Sequence, residues 1–447
     1  MKLVDTLKNI WTIKDLKERI LLTLGLVLVY RFGIEIVLPG VDPAQLQGLE
    51  HQTKDGLLGL LDMFSGGAFS KASIFALGIM PYISASIVIQ LLGMAVPYFQ
   101  KLQREGESGH RKINQITRYL TVVILILQGY AYLTNLHVQL PEQAFVLTGF
   151  YFTFSSIAIL TAGSMFVMWL GERITDKGIG NGISIIIMIG IIARLPFSFF
   201  AEISSKVSTG SGGGFMALIL ELIILFLVFA GTILLVQGTR KVPVQYAKRI
   251  VGNKQYGGVR QYIPLKINAA GVMPIIFAQA IMFVPMAFMN FASSEEMTGI
   301  MAALSNYQGF WYNFIFFLMI VLFTYIYTAI TVNPTQMAED MKKNGGFIPG
   351  VKPGKKTRDF LDAVMSRITL PGSIFLGIVA ILPAFAMIAG VNNQFAHFYG
   401  GTSLLILVGV VLDTLQQIES HLLMSHYDGL MKSGRIKGKT PGGPAAY

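Results

Sequence analysis

The amino-acid sequence predicts an all-α membrane protein: ten transmembrane helices in two inverted five-helix halves. Three observations predict it. Of 447 residues, 53% are hydrophobic and 13% charged, far from the balance of a soluble globular chain. Ten apolar runs are long enough to cross about 30 Å of hydrocarbon, which takes roughly 17–25 helical residues. Two short segments nearly repeat each other, Gly78-Ile79-Met80-Pro81 and Gly271-Val272-Met273-Pro274, each inside one of those runs. A proline there is expected to break the helix ladder, and the freed carbonyl is tolerable at membrane depth only where protein or water satisfies it. Matching broken spans point to a pathway where the two halves meet.

The runs lie at 20–38, 73–93, 118–136, 149–170, 179–198, 215–237, 268–291, 310–331, 369–389 and 402–422. Spans 1–5 make an N-terminal half, 20–198, and spans 6–10 a C-terminal half, 215–422. The join, 199–214, holds Ser211-Gly212-Gly213-Gly214 and reads as a flexible outer hinge loop. Because five is odd, the halves cross the membrane in opposite directions, so the inverted repeat follows from counting.

Charge sets the orientation. With the N-terminus in the cytoplasm, the arm 1–19, the loops 94–118, 171–178, 238–267 and 332–368, and the tail 423–447 hold 30 of the 35 Lys and Arg. The other five are Arg31, Lys54, Lys71, Arg194 and Lys206. This is a strong positive-inside signal and places both termini in the cytoplasm. The net charge of +11 is therefore read as topology and contact with anionic membrane lipid. Ribosomal RNA stays open as a partner, because two cytoplasmic loops are long as well as basic.

Taken in order, the N-terminal arm alternates apolar residues with Lys8, Lys14, Lys17 and Arg19, the pattern of a helix lying on the inner surface. No cleavable signal is expected, since the first apolar run is long enough to stay in the membrane. Span 1 carries Arg31, a charge that must face water or protein. Between spans 1 and 2, residues 56–67 are apolar enough to enter the membrane and too short to cross it, and Gly66-Gly67 should end any helix there. They read as a re-entrant half-helix, with an interfacial helix as the alternative. The loops 238–267 and 332–368 carry Arg240, Lys241, Lys248, Arg249 and Lys254, and Lys342, Lys343, Lys352, Lys355, Lys356 and Arg358. Loops of that length and charge suggest docking surfaces, against the alternative of solvated charge runs.

No enzyme signature, cofactor site or metal site emerges. Gly178-Ile179-Gly180-Asn181-Gly182 lacks the lysine of a phosphate loop and the spacing of a dinucleotide fingerprint, and reads as a flexible entry to span 5. The six histidines form no metal-ligand spacing, and the absence of cysteine excludes disulfides and thiol chemistry. Glu221 is the clearest acid at depth, where an ion antiporter would show a cluster. What recurs in the spans is isoleucine at helical spacing: Ile79 and Ile83, Ile183 and Ile187, with Val272 and Ile276 at the matching positions of the repeat. Lipid-facing or core packing accounts for most such residues. Beside paired prolines they could form an apolar constriction that gates by excluding water.

The run from Asp62 to Ser86, together with Gly178 to Ser184, Pro264 to Pro274 and Gly400 to Ile406, resembles the SecY family of protein-translocation channel subunits. The resemblance covers nearly the whole chain. It implies an hourglass pore between the halves, in the bacterial cytoplasmic (inner) membrane, with no catalytic residues. It places a plug on 57–67, at Leu57, Leu58, Leu60, Leu61, Met63, Phe64, Ser65, Gly66 and Gly67. It places a pore ring on Ile79, Ile83, Ile183, Ile187, Ile276 and Ile406, and polar lateral-gate residues on Ser84, Gln128 and Asn268. The gate would release signal sequences and membrane helices into lipid. The basic loops match the docking surface for the ATPase SecA and for ribosomes, and SecE, SecG, YidC and SecDF are implied as membrane partners. Where the family usually carries arginine, this chain has Lys352, which keeps the charge and loses the planar donor fork. A secondary transporter remains the alternative of a different class, though it should show polar or charged ligands at the midplane where this chain offers isoleucines; a membrane transferase comes third, for want of an acid-base cluster.

Overall fold

Glycine and proline decide where the long helices begin. A computed structural model of the chain describes residues 11, 13–46, 59, 62–147, 149–208, 213–246, 249–251, 254–256, 260–289 and 309–432. Among these, seven helices are long and apolar enough to cross a bilayer, and a bent pair adds an eighth. Of the two remaining expected spans, one is a charged helix and the other a short one. The first helix, Lys14–Ile34, spends its opening turns on Lys14, Asp15, Lys17, Glu18 and Arg19. The seventh, Met273–Met289, has 17 residues, and 290–308 lie outside the described residues. The architecture is that of a mostly helical multi-pass membrane protein.

The chain divides into two units. One comprises Met1–Glu50, Asp62–Gly190 and Val410–Tyr447. It contains α1 (Lys14–Ile34), α2 (Met80–Ala95), α3 (Pro97–Arg104), α4 (Glu107–Gln139), α5 (Phe150–Lys177) and the start of α6 (Gly182–Ser208). In it α4 packs against both α2 and α5, and α1 against α5.

The other unit comprises His51–Leu61 and Ile191–Gly409. After the rest of α6 come α7 (Gly213–Gln237), β1 (Thr239–Tyr246), β2 (Arg249–Val251), β3 (Lys254–Tyr256) and β4 (Arg260–Lys266). Then follow α8 (Met273–Met289), α9 (Phe310–Thr331), α10 (Pro334–Lys343), β5 (Gly346–Phe347), α11 (Lys355–Ile388), α12 (Asn393–Ala396) and α13 (Gly401–Lys432), which continues into the first unit. Here α9 packs against both α8 and α11, repeating the pattern of α4 with α2 and α5.

The paired prolines do not interrupt their helices. Gly78 (φ +53°) and Gly271 (φ +63°) turn the chain, and α2 and α8 start two residues later. Pro81 and Pro274 thus take the second helical position, where the missing N–H has no intrahelical partner to lose. Spans 2 and 7, expected from 73 and 268, accordingly begin at Met80 and Met273. The repeat is real, but it is a helix start and not a helix break. α6 likewise runs through Ser208, into the stretch read as a hinge loop, and α13 through Lys432, into the expected tail.

The two long basic loops are not loops alone. β1 pairs antiparallel with β4 from Thr239↔Lys266 to Gln245↔Arg260, and β5 adds to β1 at Gln245↔Phe347. β2 and β3 form a separate antiparallel pair. Val242 and Val244 alternate inward with strand periodicity and meet Leu265, Met341, Ile348, Leu361 and Met365 in one buried core. β1, β4, β5, α10 and the start of α11 therefore fold together as a single platform.

Candidate functional site

Asp62 to Phe64 form a last helical turn that Gly66 (φ +66°) and Gly67 (φ +97°) end, as the glycine pair required. The following turns are tied to their surroundings through main-chain groups. Asp62 Oδ1 accepts the Ser70 N–H at 2.8 Å, and Ser65 Oγ accepts the Phe69 N–H at 3.1 Å. Tyr30 donates to the Ser65 carbonyl (3.1 Å), Arg31 to that of Gly66 (3.1 Å) and Tyr132 to that of Phe69 (2.9 Å). Arg31 thus meets protein at depth, as its cost demanded. Met63, Phe64, Ser65, Gly66 and Gly67 are all buried. A Cβ on Gly66 would stand 2.9 Å from the Gly190 Cα. Leu57, Leu58, Leu60 and Leu61 lie outside the described residues. Sequence reasoning missed Tyr30 and Tyr132, since nothing in a span marks which tyrosine is buried with a hydroxyl partner.

The glycine-rich entry to α6 is pinned, in contrast to the flexible entry expected. Its amides are taken by side chains: Ile179 by Thr23 Oγ1 (3.2 Å), Gly180 by Gln417 Oε1 (2.8 Å), Gly182 by Thr175 Oγ1 (2.9 Å) and Ser184 by Asn181 Oδ1 (3.3 Å). With those donors occupied, the turn offers no anion cradle. It instead joins α1, α5 and α13 to α6.

In the first unit, Ile79 caps the start of α2 and is buried, while Ile83, one turn on, is half-buried, as is Ser84. Ile187 is buried, and half-buried Ile183 lies over Gly171 of α5. Gln128, on α4, is half-buried. In the second unit, Ile276 is half-buried on α8 and Ile406 buried on α13. Asn268 is buried in the turn ahead of α8, and its Oδ1 has no partner among the described residues. The six isoleucines thus divide four and two between the units.

On the platform, Arg240, Lys241, Lys352, Lys355 and Lys356 are exposed, and Arg358 is half-buried beside Asp359 at 2.8 Å. Arg249 sits on β2, and Lys248 lies outside the described residues. Lys355 and Lys356 open α11 without any acid in its first turn. Cations at a helix N-terminus oppose the macrodipole, at about 0.3–1 kcal/mol each. These charges do not serve the helix, which is the reason to look outside it for their partner.

The fold and these arrangements define a multi-pass membrane channel protein with a buried, non-spanning segment in one repeated half. The chain belongs to the SecY family, whose model matches residues 73–415. The protein translocase subunit SecY of Streptomyces scabiei is 41% identical over 430 residues, covering 94% of this chain and 97% of that one. That of Mycobacterium tuberculosis (strain H37Rv) is 40% identical over 444 residues, with the same coverages. Among solved structures, one described as the structure of a protein conducting channel matches with a TM-score of 0.62 at 19% identity, over 90% of this chain and 92% of that one. Sec61 in the canine ribosome-channel complex matches with a TM-score of 0.57 at 18% identity, over the same shares.

Proposed function

We propose that this chain forms a protein-conducting channel that passes unfolded secretory polypeptides across the bacterial cytoplasmic membrane and releases transmembrane segments sideways into lipid. The observation that carries the reading is the buried segment from Met63 to Gly67, held by carbonyl hydrogen bonds from Tyr30 and Arg31 in a chain of the SecY family. Main-chain contacts hold a segment in place without a large apolar core of its own, which suits a plug that must leave and return. The isoleucines Ile79, Ile83, Ile183, Ile187, Ile276 and Ile406 form the pore ring. Branched apolar side chains close around a crossing chain of any sequence without hydrogen-bond commitments, and a dry constriction resists ions. Ser84, Gln128 and Asn268 line the lateral gate.

The subunit itself is a channel and not an enzyme, so the driving energy comes from a docked motor, a translating ribosome or the membrane potential. The platform, with Arg240, Lys241, Lys248, Arg249, Lys352, Lys355, Lys356 and Arg358, receives SecA and the ribosome, while SecE, SecG, YidC and SecDF are the membrane partners. A relative solved in a ribosome-channel complex supports the ribosome assignment. Both termini lie in the cytoplasm. Reconstitution in vesicles tests the whole reading: an unfolded precursor should become protease-protected only when this chain, its membrane partners and the motor are present. Saturable uptake of a small solute, with no precursor protected, would replace the channel by a transporter.

A further inference from the structure

A buried charge cluster in the second unit serves none of these roles. Glu202 and Lys206 stand one turn apart on α6, and Glu221 meets them from α7. Glu202 is wholly buried, and Glu221 is 9% exposed. Lys206 Nζ lies 2.8 Å from Glu221 Oε1 and 3.6 Å from Glu202 Oε1, and donates to the Gly390 carbonyl at 3.0 Å. Glu202 Oε2 accepts the Asn392 N–H at 2.8 Å. Two carboxyl oxygens remain, Glu202 Oε1 and Glu221 Oε2, both buried and without a donor among the described residues. Both carboxyl groups thus converge on the one Lys206 Nζ. The Tyr399 hydroxyl, from the turn after α12, is also buried without a partner among the described residues and sits in the field of both carboxylates.

Charge and donor counts decide what is missing. One lysine against two carboxylates leaves a net charge of −1 out of water, and an uncompensated buried ion costs several kcal/mol. Two ionised carboxylates drawn to one lysine repel and cannot bond; one proton between them supplies the donor and the neutrality together. A bridging water would supply the donor alone. Among the described residues no group of three or more His, Cys, Asp or Glu could hold a metal ion. Among the described residues, the titratable groups facing the pair are Lys206 and Tyr399, whereas His397, on the same turn as Tyr399, faces the cavity lined by Gln279, Tyr312 and Thr402.

We propose that Glu202 and Glu221 bind one proton between them at neutral pH, making with Lys206 a neutral latch that ties residues 389–400 to α6 and α7. Through Gly390 and Asn392 the latch holds the segment leading into α13, and the Phe199–Phe395 ring contact at 5.9 Å lies along the same seam. Of the two acids the sequence singled out Glu221 alone, because Glu202 fell in a stretch read as loop.

Infrared spectra of the full-length channel in nanodiscs test it. At neutral pH the wild type should show a protonated-carboxyl C=O band that disappears in both Glu221→Gln and Glu202→Gln. A glutamine amide at 221 carries permanently the donor that the proton supplies, so E221Q should keep the neutral-pH thermal midpoint. Raising the pH should lower the wild-type midpoint by several degrees and leave that of E221Q flat. A wild type without the band, a band that survives in either variant, or an alkaline loss of stability unchanged in E221Q would each overturn the proposal.

Discussion

Arg31 Nη1 donates to the carbonyl of Gly66 at 3.1 Å, and a Cβ on Gly66 would come within 3.0 Å of that same nitrogen. The bond and the glycine are one requirement: the guanidinium reaches the main chain only because nothing projects from residue 66. Gly66→Ala should therefore unseat the segment. The left-handed backbone alone costs a side chain about 1–2 kcal/mol, and the Gly190 backbone blocks relief by movement. We expect resting ion conductance in planar bilayers to rise about tenfold, since about 1.4 kcal/mol is a factor of ten. A leak equal to the parent's would detach this segment from the seal.

The absence of native cysteine allows a direct test of the ring. One cysteine is placed at Ile79, Ile83, Ile183, Ile187, Ile276 or Ile406, and a precursor with its own cysteine is arrested in mid-crossing. Disulfides should form at most of the six and not at Leu227, an exposed position on α7. If Leu227 links as readily, the ring is not on the pathway.

How much of this was legible depended on whether a signal was local. Gly66-Gly67 announced a helix end because only glycine takes two successive positive φ values cheaply. Pro81 was visible and misread, since a proline inside an apolar run looks the same whether it breaks a helix or starts one. The platform strands were hidden by their charge: Arg240 and Lys241 drew attention from the alternation of Val242 and Val244. The contacts of Gly180 with Gln417, and of Glu202 with Glu221, join residues far apart in the chain, and no spacing rule reports them.

Reversing Lys352, Lys355 and Lys356 to Glu should weaken ribosome and motor binding about tenfold or more at low ionic strength, and less at high salt. The fold should not suffer, because these side chains are exposed and acids at the start of α11 suit the helix dipole. Val244→Asp is the contrasting change, burying a charge in the platform core and abolishing both interactions. Unchanged affinity in the triple reversal would reduce these charges to topology signals.

Gln417→Leu removes the partner that the Gly180 amide has among the described residues, leaving a donor stranded at the entry to α6. The expected loss is about 1–3 kcal/mol, read as a lower thermal midpoint in detergent. Thr23→Val should act in the same direction through Ile179. Midpoints equal to the parent's in both would show that the entry is held by packing alone.

His397, between α11 and α13, is buried, and burial lowers its pKa from 6.5 to about 4. Between those values the unfolded chain binds more protons than the folded one, so stability falls as pH drops below about 6.5 and stops falling near 4. The loss approaches about 3 kcal/mol at the acid end. Thermal midpoints measured from neutral pH to about pH 5 should decline in the parent and decline less in His397→Gln. Parallel curves would place the acid sensitivity elsewhere.

α11 gives the second unit a lever arm. Its 34 residues rise about 50 Å, so a tilt of about 5° at one end displaces the other by roughly 4 Å. The near end carries Lys355 and Lys356 on the platform, and the far end, Ile388, lies two residues before the Gly390 carbonyl that Lys206 grips. Pro371 and Pro383 are the two points where such a rod can yield. A force on the basic end thus becomes travel at the opposite end of the same helix, divided between bending at the prolines and strain on the lysine's grip.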